Sequence, residues 1–271
     1  MPPVRPDALA APVPSPSPSP PPPTLARRVR GVWRITRAGV HVLHGVWVVA
    51  TRFRRLDAPQ RMLRVQWWSA KFLHVLGIAL YAEGRPQPGA KLIVANHISW
   101  LDILAINAVV PSRFVSKAEV RHWPVIGALV NAAGTLYIER ERPRDALRVV
   151  HQMAEAFLAG DTLAVFPEGT TSHGHGLLPF HANLLQGAVA TATPVQPVAL
   201  RFFDAEHAVS PAPAYVGETT LDQTLWWIVC AQGLSVRVHV LPALAAGQTE
   251  RRALAERLHN EIEAALARGA A

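Results

Sequence analysis

Lys91-Leu92-Ile93-Val94-Ala95-Asn96-His97-Ile98-Ser99-Trp100-Leu101-Asp102 is the stretch whose reading decides the fold. Five residues of strand character run into a polar loop, and a helix-like run from Ser99 to Val109 follows. About seventy residues later the pattern recurs: the apolar run Thr162 to Phe166 opens into Phe166-Pro167-Glu168-Gly169-Thr170-Thr171-Ser172. Both polar strings therefore sit at the carboxyl end of a strand, where ligands gather in open α/β sheets.

The segments around these strings keep the same rhythm. Arg113 to Ser116 and Thr135 to Ile138 read as strands, and Pro124 to Ala132 as a helix. Pro143 can begin a helix in which Leu147, Val150, Ala154, Phe157 and Leu158 recur at helical spacing, and Gly160 closes it. A helix from Asn183 to Ala190, strands at Val195 to Phe202 and near Leu234 to Leu241, and an amphipathic helix from Thr249 to Ala267 complete the body. The expected fold is α/β, a mixed sheet flanked by helices.

With 271 residues, half of them apolar, the chain can bury one substantial core. Three regions are expected: a Pro/Ser-rich disordered tail over 1–23, a helical segment over 24–81 and a catalytic domain over 82–271. The single cysteine, Cys230, excludes an internal disulfide and a cysteine metal cluster.

The net charge of +8 is unevenly placed. Residues 24–74 hold eleven Arg and Lys against Asp57 alone, whereas residues 75–271 carry fifteen basic and seventeen acidic side chains. Between the basic residues stand Trp33, Trp47, Phe53, Trp67, Trp68 and Phe72 with many Val and Leu. Long apolar stretches bounded by Arg and Trp suit the headgroup boundary of an anionic membrane, not nucleic acid. The stretch Ala38 to Ala50, roughly 20 Å long as a helix, is too short to span about 30 Å of hydrocarbon. Flanking arginines favour both its ends on one side, hence an in-plane or re-entrant helix. A second apolar stretch, Trp67 to Tyr81, follows Pro59 and completes a membrane-docking hairpin; the alternative is a helical pair capping the core.

Two readings of His97 and Asp102 start from the same geometry. Five helical steps would leave the residues about 140° apart, so one lies outside the helix. With Ser99 as N-cap, Asp102 falls at N3 of a capping box and His97 in the preceding loop. Asp102 then either only stabilises the helix start, or accepts a proton from one imidazole nitrogen so that the other takes one from a hydroxyl, a dyad without a serine. No Gly-x-Ser-x-Gly elbow occurs, so direct transfer between two bound substrates is the simpler chemistry.

Taken together, Asn96-His97-x-Ser99-x-x-Asp102 and Phe166-Pro167-Glu168-Gly169-Thr170 resemble the signature of the phospholipid/glycerol acyltransferase family, bacterial 1-acylglycerol-3-phosphate acyltransferases in particular. Weaker blocks at Gly134 to Arg140 and Val195 to Val198 extend the likeness over roughly residues 75–205. The resemblance implies an acyl-CoA or acyl-carrier-protein donor and a lysophospholipid acceptor, with no further cofactor. His173-Gly174-His175 with His181, among flexible glycines and without a nearby carboxylate or cysteine constellation, reads as a solvated loop, so no metal is expected. His97 would be the base and Asp102 would hold its tautomer. Arg140 and Lys117 would contact the acceptor's phosphate, and Glu168, Gly169 and Thr170 would shape that pocket. The basic, Trp-rich N-terminal segment is expected to hold the protein at the cytoplasmic face of the inner membrane, monotopic or peripheral. Many family members carry Arg after Phe-Pro-Glu-Gly-Thr where this chain has Thr171, which makes a lyso-ornithine lipid a competitor to lysophosphatidate as acceptor.

Overall fold

The computed structural model describes residues 20, 22–138, 143–247 and 250–268, and the Pro/Ser-rich tail lies almost wholly outside them. Helices α1 (Leu25–Thr51) and α2 (Ala58–Leu76) precede strand β1 (Ala79–Gly84). There follow β2 (Lys91–Ala95), α3 (Leu101–Val109), β3 (Arg113–Lys117), α4 (Ile126–Ala132), β4 (Leu136–Ile138), α5 (Pro143–Leu158) and β5 (Thr162–Val165). The chain closes with α6 (Gln186–Ala190), β6 (Val195–Phe203), α7 (Leu221–Cys230), β7 (Ser235–Val240) and α8 (Arg251–Arg268).

The strands form one mixed sheet in the order β1-β7-β6-β2-β5-β3-β4, parallel throughout except between β6 and β7. Helices cover both faces. On β2, Ile93 and Ala95 join the core under α1, α2, α3 and α7, while Leu92 and Val94 join the core under α5, α6 and α8. All five β2 residues are buried, as a central strand covered on both faces requires. Since β2, β3 and β5 run parallel, their following loops share one edge of the sheet, which is where both polar strings emerge.

The N-terminal pair departs from the expected outline. Thr24 caps α1, which then runs for 27 residues instead of only the uncharged stretch 38–50. Asp57 and Gln60 form a capping box that starts α2 with Pro59 in its first turn. The second apolar stretch is not helical as far as Tyr81. Gly77, at φ 83°, ends α2, with Ile78 N–H reaching back to the Leu73 carbonyl, and the chain enters β1 at Ala79. Gly77 is also a close approach, because a Cβ there would lie 2.1 Å from the Arg34 guanidinium carbon. Strand β1 runs across residues 81 and 82, which the sequence reading divides between two regions. No described helix is long and apolar enough to cross a membrane.

Helices α1 and α2 meet through His41, whose Nε2 lies 3.1 Å from the Trp68 carbonyl oxygen. The imidazole stacks on Trp68 and Phe72 at 5.0 and 5.7 Å, and Trp68 Nε1 donates back to the His41 carbonyl. An apolar cavity of about 130 Å³ lies beside this crossing, between α1, α2, α3 and α4. Burial pushes the His41 imidazole below its ordinary value against the opposing bond to Trp68, and nearby His44 and Lys71 push the same way. A folded-state value below the unfolded one means that stability present above about pH 6.5 is lost as the pH falls. Wild type is therefore expected to lose more thermal stability between about pH 7.5 and about pH 5 than His41→Phe does. Equal slopes in scanning calorimetry would remove His41 as the cause.

Candidate active site

Asp102 is fully buried at the start of α3, and its Oδ2 collects three donors. His97 Nδ1 lies at 2.7 Å, the Ile98 amide at 2.7 Å and the Ser99 amide at 2.9 Å. An ionised carboxylate only accepts, so this arrangement places a proton on His97 Nδ1. Nε2 is left without a partner among the described residues, on a side chain 20% exposed and thus reachable from outside. The loop is short enough for one side chain to serve it all, since the donors belong to residues 97, 98 and 99.

The capping box expected at Ser99 is only half present. Asp102 reaches back to the Ser99 amide, but the Asp102 amide donates to the Ser99 carbonyl at 3.1 Å and not to its hydroxyl. Trp100 is the residue flanking the helix, and Ser99 Oγ and Asp102 Oδ1 are buried without a partner among the described residues. The carboxylate is committed to the loop ahead of the helix, so the first turn closes through backbone.

Asn96 anchors the loop from the strand side. Its side-chain amide donates to the Leu200 carbonyl at 3.0 Å and its oxygen accepts from the Leu200 amide at 2.8 Å, joining β2 to β6 where their ladder ends. The second string closes over the loop from β5. Glu168 is 3% exposed; one carboxylate oxygen accepts from the His97 amide at 2.7 Å and the other from the Leu178 amide at 2.9 Å. Burial pushes its carboxyl above the ordinary value, and the two amide bonds work against that rise. Phe166 stacks face to face on the His97 ring with centroids 4.0 Å apart, and Ser172 donates from its amide to the His97 carbonyl at 2.8 Å.

Gly169, at φ 72°, closes the turn with its amide on the Phe166 carbonyl, and a Cβ there would come within 3.1 Å of the His181 ring. Thr170 is exposed. Thr171 donates its hydroxyl to the Tyr215 carbonyl, while the Tyr215 amide bonds the Ile98 carbonyl at 3.1 Å. The residue standing where many family members carry Arg is thus occupied in tying two loops together.

The structure brings together His97, Asp102, Glu168, Gly169 and Thr170. Lys117 ends β3, exposed, at the same sheet edge and two strands from His97. Arg140 lies outside the described residues, beyond β4, whose Ile138 pairs in register with Lys117. Sequence reasoning assigned no role to Asn96 or Phe166, although both stand inside the quoted strings. Leu178 and Tyr215 carry no sequence signal, because each contributes only backbone.

A half-buried histidine bonded to a fully buried aspartate thus stands at the carboxyl edge of a helix-flanked sheet. The profile of the family described as Acyltransferase matches residues 79–201. A 1-acyl-sn-glycerol-3-phosphate acyltransferase of Neisseria meningitidis is 40% identical over 188 residues, covering 68% of this chain and 73% of the relative. A lyso-ornithine lipid O-acyltransferase of Pseudomonas aeruginosa is 34% identical over 208 residues, covering 77% and 80%. The crystal structure of the 1-acyl-sn-glycerophosphate acyltransferase of Thermotoga maritima shares the fold, with a TM-score of 0.68 over 90% of this chain and 96% of that one at 20% identity. The chain belongs to the acyltransferase family, and the enzyme is an O-acyltransferase.

Asp102→Asn tests the dyad without emptying the site. An amide oxygen in the place of Oδ2 can still accept from His97, Ile98 and Ser99 but carries no charge to stabilise the imidazolium, so kcat is expected to fall by roughly 10² to 10⁴ with KM little changed. A loss confined to KM would mean that Asp102 serves binding instead.

Proposed function

We propose that the enzyme transfers a fatty acyl group from acyl-CoA or acyl-carrier protein to the free hydroxyl of a lysophospholipid, with 1-acyl-sn-glycerol 3-phosphate as principal acceptor and phosphatidic acid as product. The observation that carries this reading is the 2.7 Å contact from His97 Nδ1 to a fully buried Asp102 carboxylate, with Nε2 unpartnered among the described residues on a side chain 20% exposed. His97 Nε2 takes the acceptor's hydroxyl proton while that oxygen attacks the thioester carbonyl. The tetrahedral intermediate then collapses, the carbon–sulfur bond breaks, and the departing thiolate recovers the proton from the imidazolium. No cofactor beyond the acyl donor enters these steps.

Lys117 and Arg140 supply positive charge to the acceptor's phosphate, a reading supported by the position of Lys117 at the sheet edge shared with His97. Glu168, Gly169 and Thr170 act through the shape of the loop, since both oxygens of Glu168 are engaged by backbone amides. The apolar cavity beside α3 receives hydrocarbon; its walls include Ile103 and Leu104, which directly follow Asp102.

The enzyme works as a monotopic or peripheral protein on the cytoplasmic face of the inner membrane. This reading is supported by the outward face of α1, where Val40, Leu43 and Trp47 are 63%, 64% and 52% exposed, with Arg52, Arg54 and Arg55 just beyond. A second acceptor reading, a lyso-ornithine lipid, is favoured by Thr171, which bonds the Tyr215 carbonyl where a phosphate-binding Arg would stand. The lyso-ornithine lipid O-acyltransferase relative also has the longer matched stretch.

A panel of lysolipids assayed with each donor, on wild type and His97→Ala, decides among these readings. Lysophosphatidate is expected to turn over fastest and His97→Ala to lose transfer on every acceptor. Donor breakdown that proceeds equally well without any lysolipid would show a hydrolase instead. Membrane docking is tested separately by replacing Val40, Leu43 and Trp47 with Gln. These residues face outward, so folding is expected to persist while flotation with anionic vesicles drops; unchanged flotation would refute this docking face.

A further inference from the structure

The connection between β3 and α4 ends in five consecutive exposed residues, Arg121, His122, Trp123, Pro124 and Val125. The last three are apolar, and Trp123 and Val125 are 42% and 45% exposed. Instead of continuing the helix expected from Pro124, the chain makes a three-residue turn in which the Ile126 amide bonds the Pro124 carbonyl at 2.6 Å. Val125, at its centre, has φ 65° and ψ −57°, a γ-turn geometry that a β-branched residue rarely adopts. A glycine or asparagine would make such a turn more easily. Here a stiff apolar side chain is held outward at the apex, next to an indole.

Placement separates this apex from an ordinary surface loop. It follows β3 and so stands at the sheet edge that carries His97. Helix α4, which begins at the apex, packs on α1, with Leu129 against Gly45. The apolar cavity joins Val48 and Val49 at the end of α1, and Phe53 just after it, to Leu129, Val130 and Ala133. The turn is thus continuous with the helix whose outer face carries Leu43 and Trp47. Lys117, Arg121 and His122 flank it against Glu119 alone, and the Arg121 guanidinium lies 5.8 Å from the Tyr137 ring centre.

We propose that Trp123, Pro124 and Val125 form a second membrane-insertion point, a rigid wedge that enters the headgroup boundary of an anionic bilayer beside the mouth of the active site. The inference rests on the membrane-docking reading of α1 and α2 and adds to it. Helices alone fix one line of contact, whereas a second contact at the edge that carries His97 fixes the tilt. His97 then faces lipid hydroxyls lying in the membrane surface. A tryptophan beside cationic side chains suits that boundary, where its ring is buried and its N–H stays hydrated.

The test labels Trp123→Cys in the full chain with a polarity-sensitive fluorophore, the native Cys230 being buried. Adding phosphatidylglycerol/phosphatidylethanolamine vesicles is expected to shift the emission to the blue, with quenching by lipids nitroxide-labelled near the headgroup. In parallel, Trp123→Ala is expected to lose on the order of tenfold in activity on vesicle-borne lysolipid, the affinity change for half-burying a large apolar side chain, while retaining activity on a water-soluble short-chain lysolipid. No emission shift while the protein floats with vesicles would overturn the wedge and leave the helix docking intact. Absence of flotation would overturn both. A shift produced by acyl-carrier protein without vesicles would overturn the membrane assignment and mark a protein-docking turn.

Discussion

One buried carboxylate organises the catalytic edge of this enzyme. Removing a carboxylate from water costs several kcal/mol unless charge-assisted hydrogen bonds replace the lost hydration. Each such bond contributes about 1.5–3 kcal/mol. Asp102 meets that demand within its own loop, through the amides of Ile98 and Ser99 and the imidazole of His97. Folding the loop and orienting the imidazole are therefore the same event. The two amides hold the carboxylate in place beside the imidazole.

The rest of the edge keeps this unit in register with the sheet. Asn96 matches both halves of the Leu200 peptide face, so β2 cannot slide on β6 without leaving a buried amide unpaired. Glu168 spans from the loop after β5 to the His97 amide and onward to Leu178, and Phe166 covers the ring. The two sequence strings are thus one structure: the first contains His97 and Asp102, and the second braces the His97 backbone and one face of its ring.

Much of this was legible from order alone, for a physical reason. The interactions of Asp102 span five residues or fewer, and alternating buried strands and amphipathic helices carry period-2 and period-3.6 patterns. Long-range contacts left no such trace. Glu168 reaches a backbone amide 71 residues away, which no spacing within its own string encodes. Strand β1 was hidden inside an apolar stretch that reads as helix, and only Gly77 marks the break. Helix α7 was missed although Thr220 and Gln223 spell a capping box ahead of its apolar run. The half-formed box at Ser99 shows the converse: the carboxylate reaches the Ser99 amide, but the Asp102 amide bonds the Ser99 carbonyl and not its hydroxyl.

Helices α1 and α2 cap the core, as one of the two expectations raised for them has it. Their inner faces, with Ala38, Phe72, Leu73 and Leu76, belong to the main core, and the outer face of α1 stays apolar. The central claim remains the imidazole tautomer fixed by Asp102, which ¹⁵N NMR of histidine-labelled enzyme reads directly. In its neutral form, His97 is predicted to carry its proton on Nδ1, with Nε2 unprotonated and a downfield Nδ1–H resonance that moves upfield in Asp102→Asn. A His97 protonated on Nε2 alone would contradict the account.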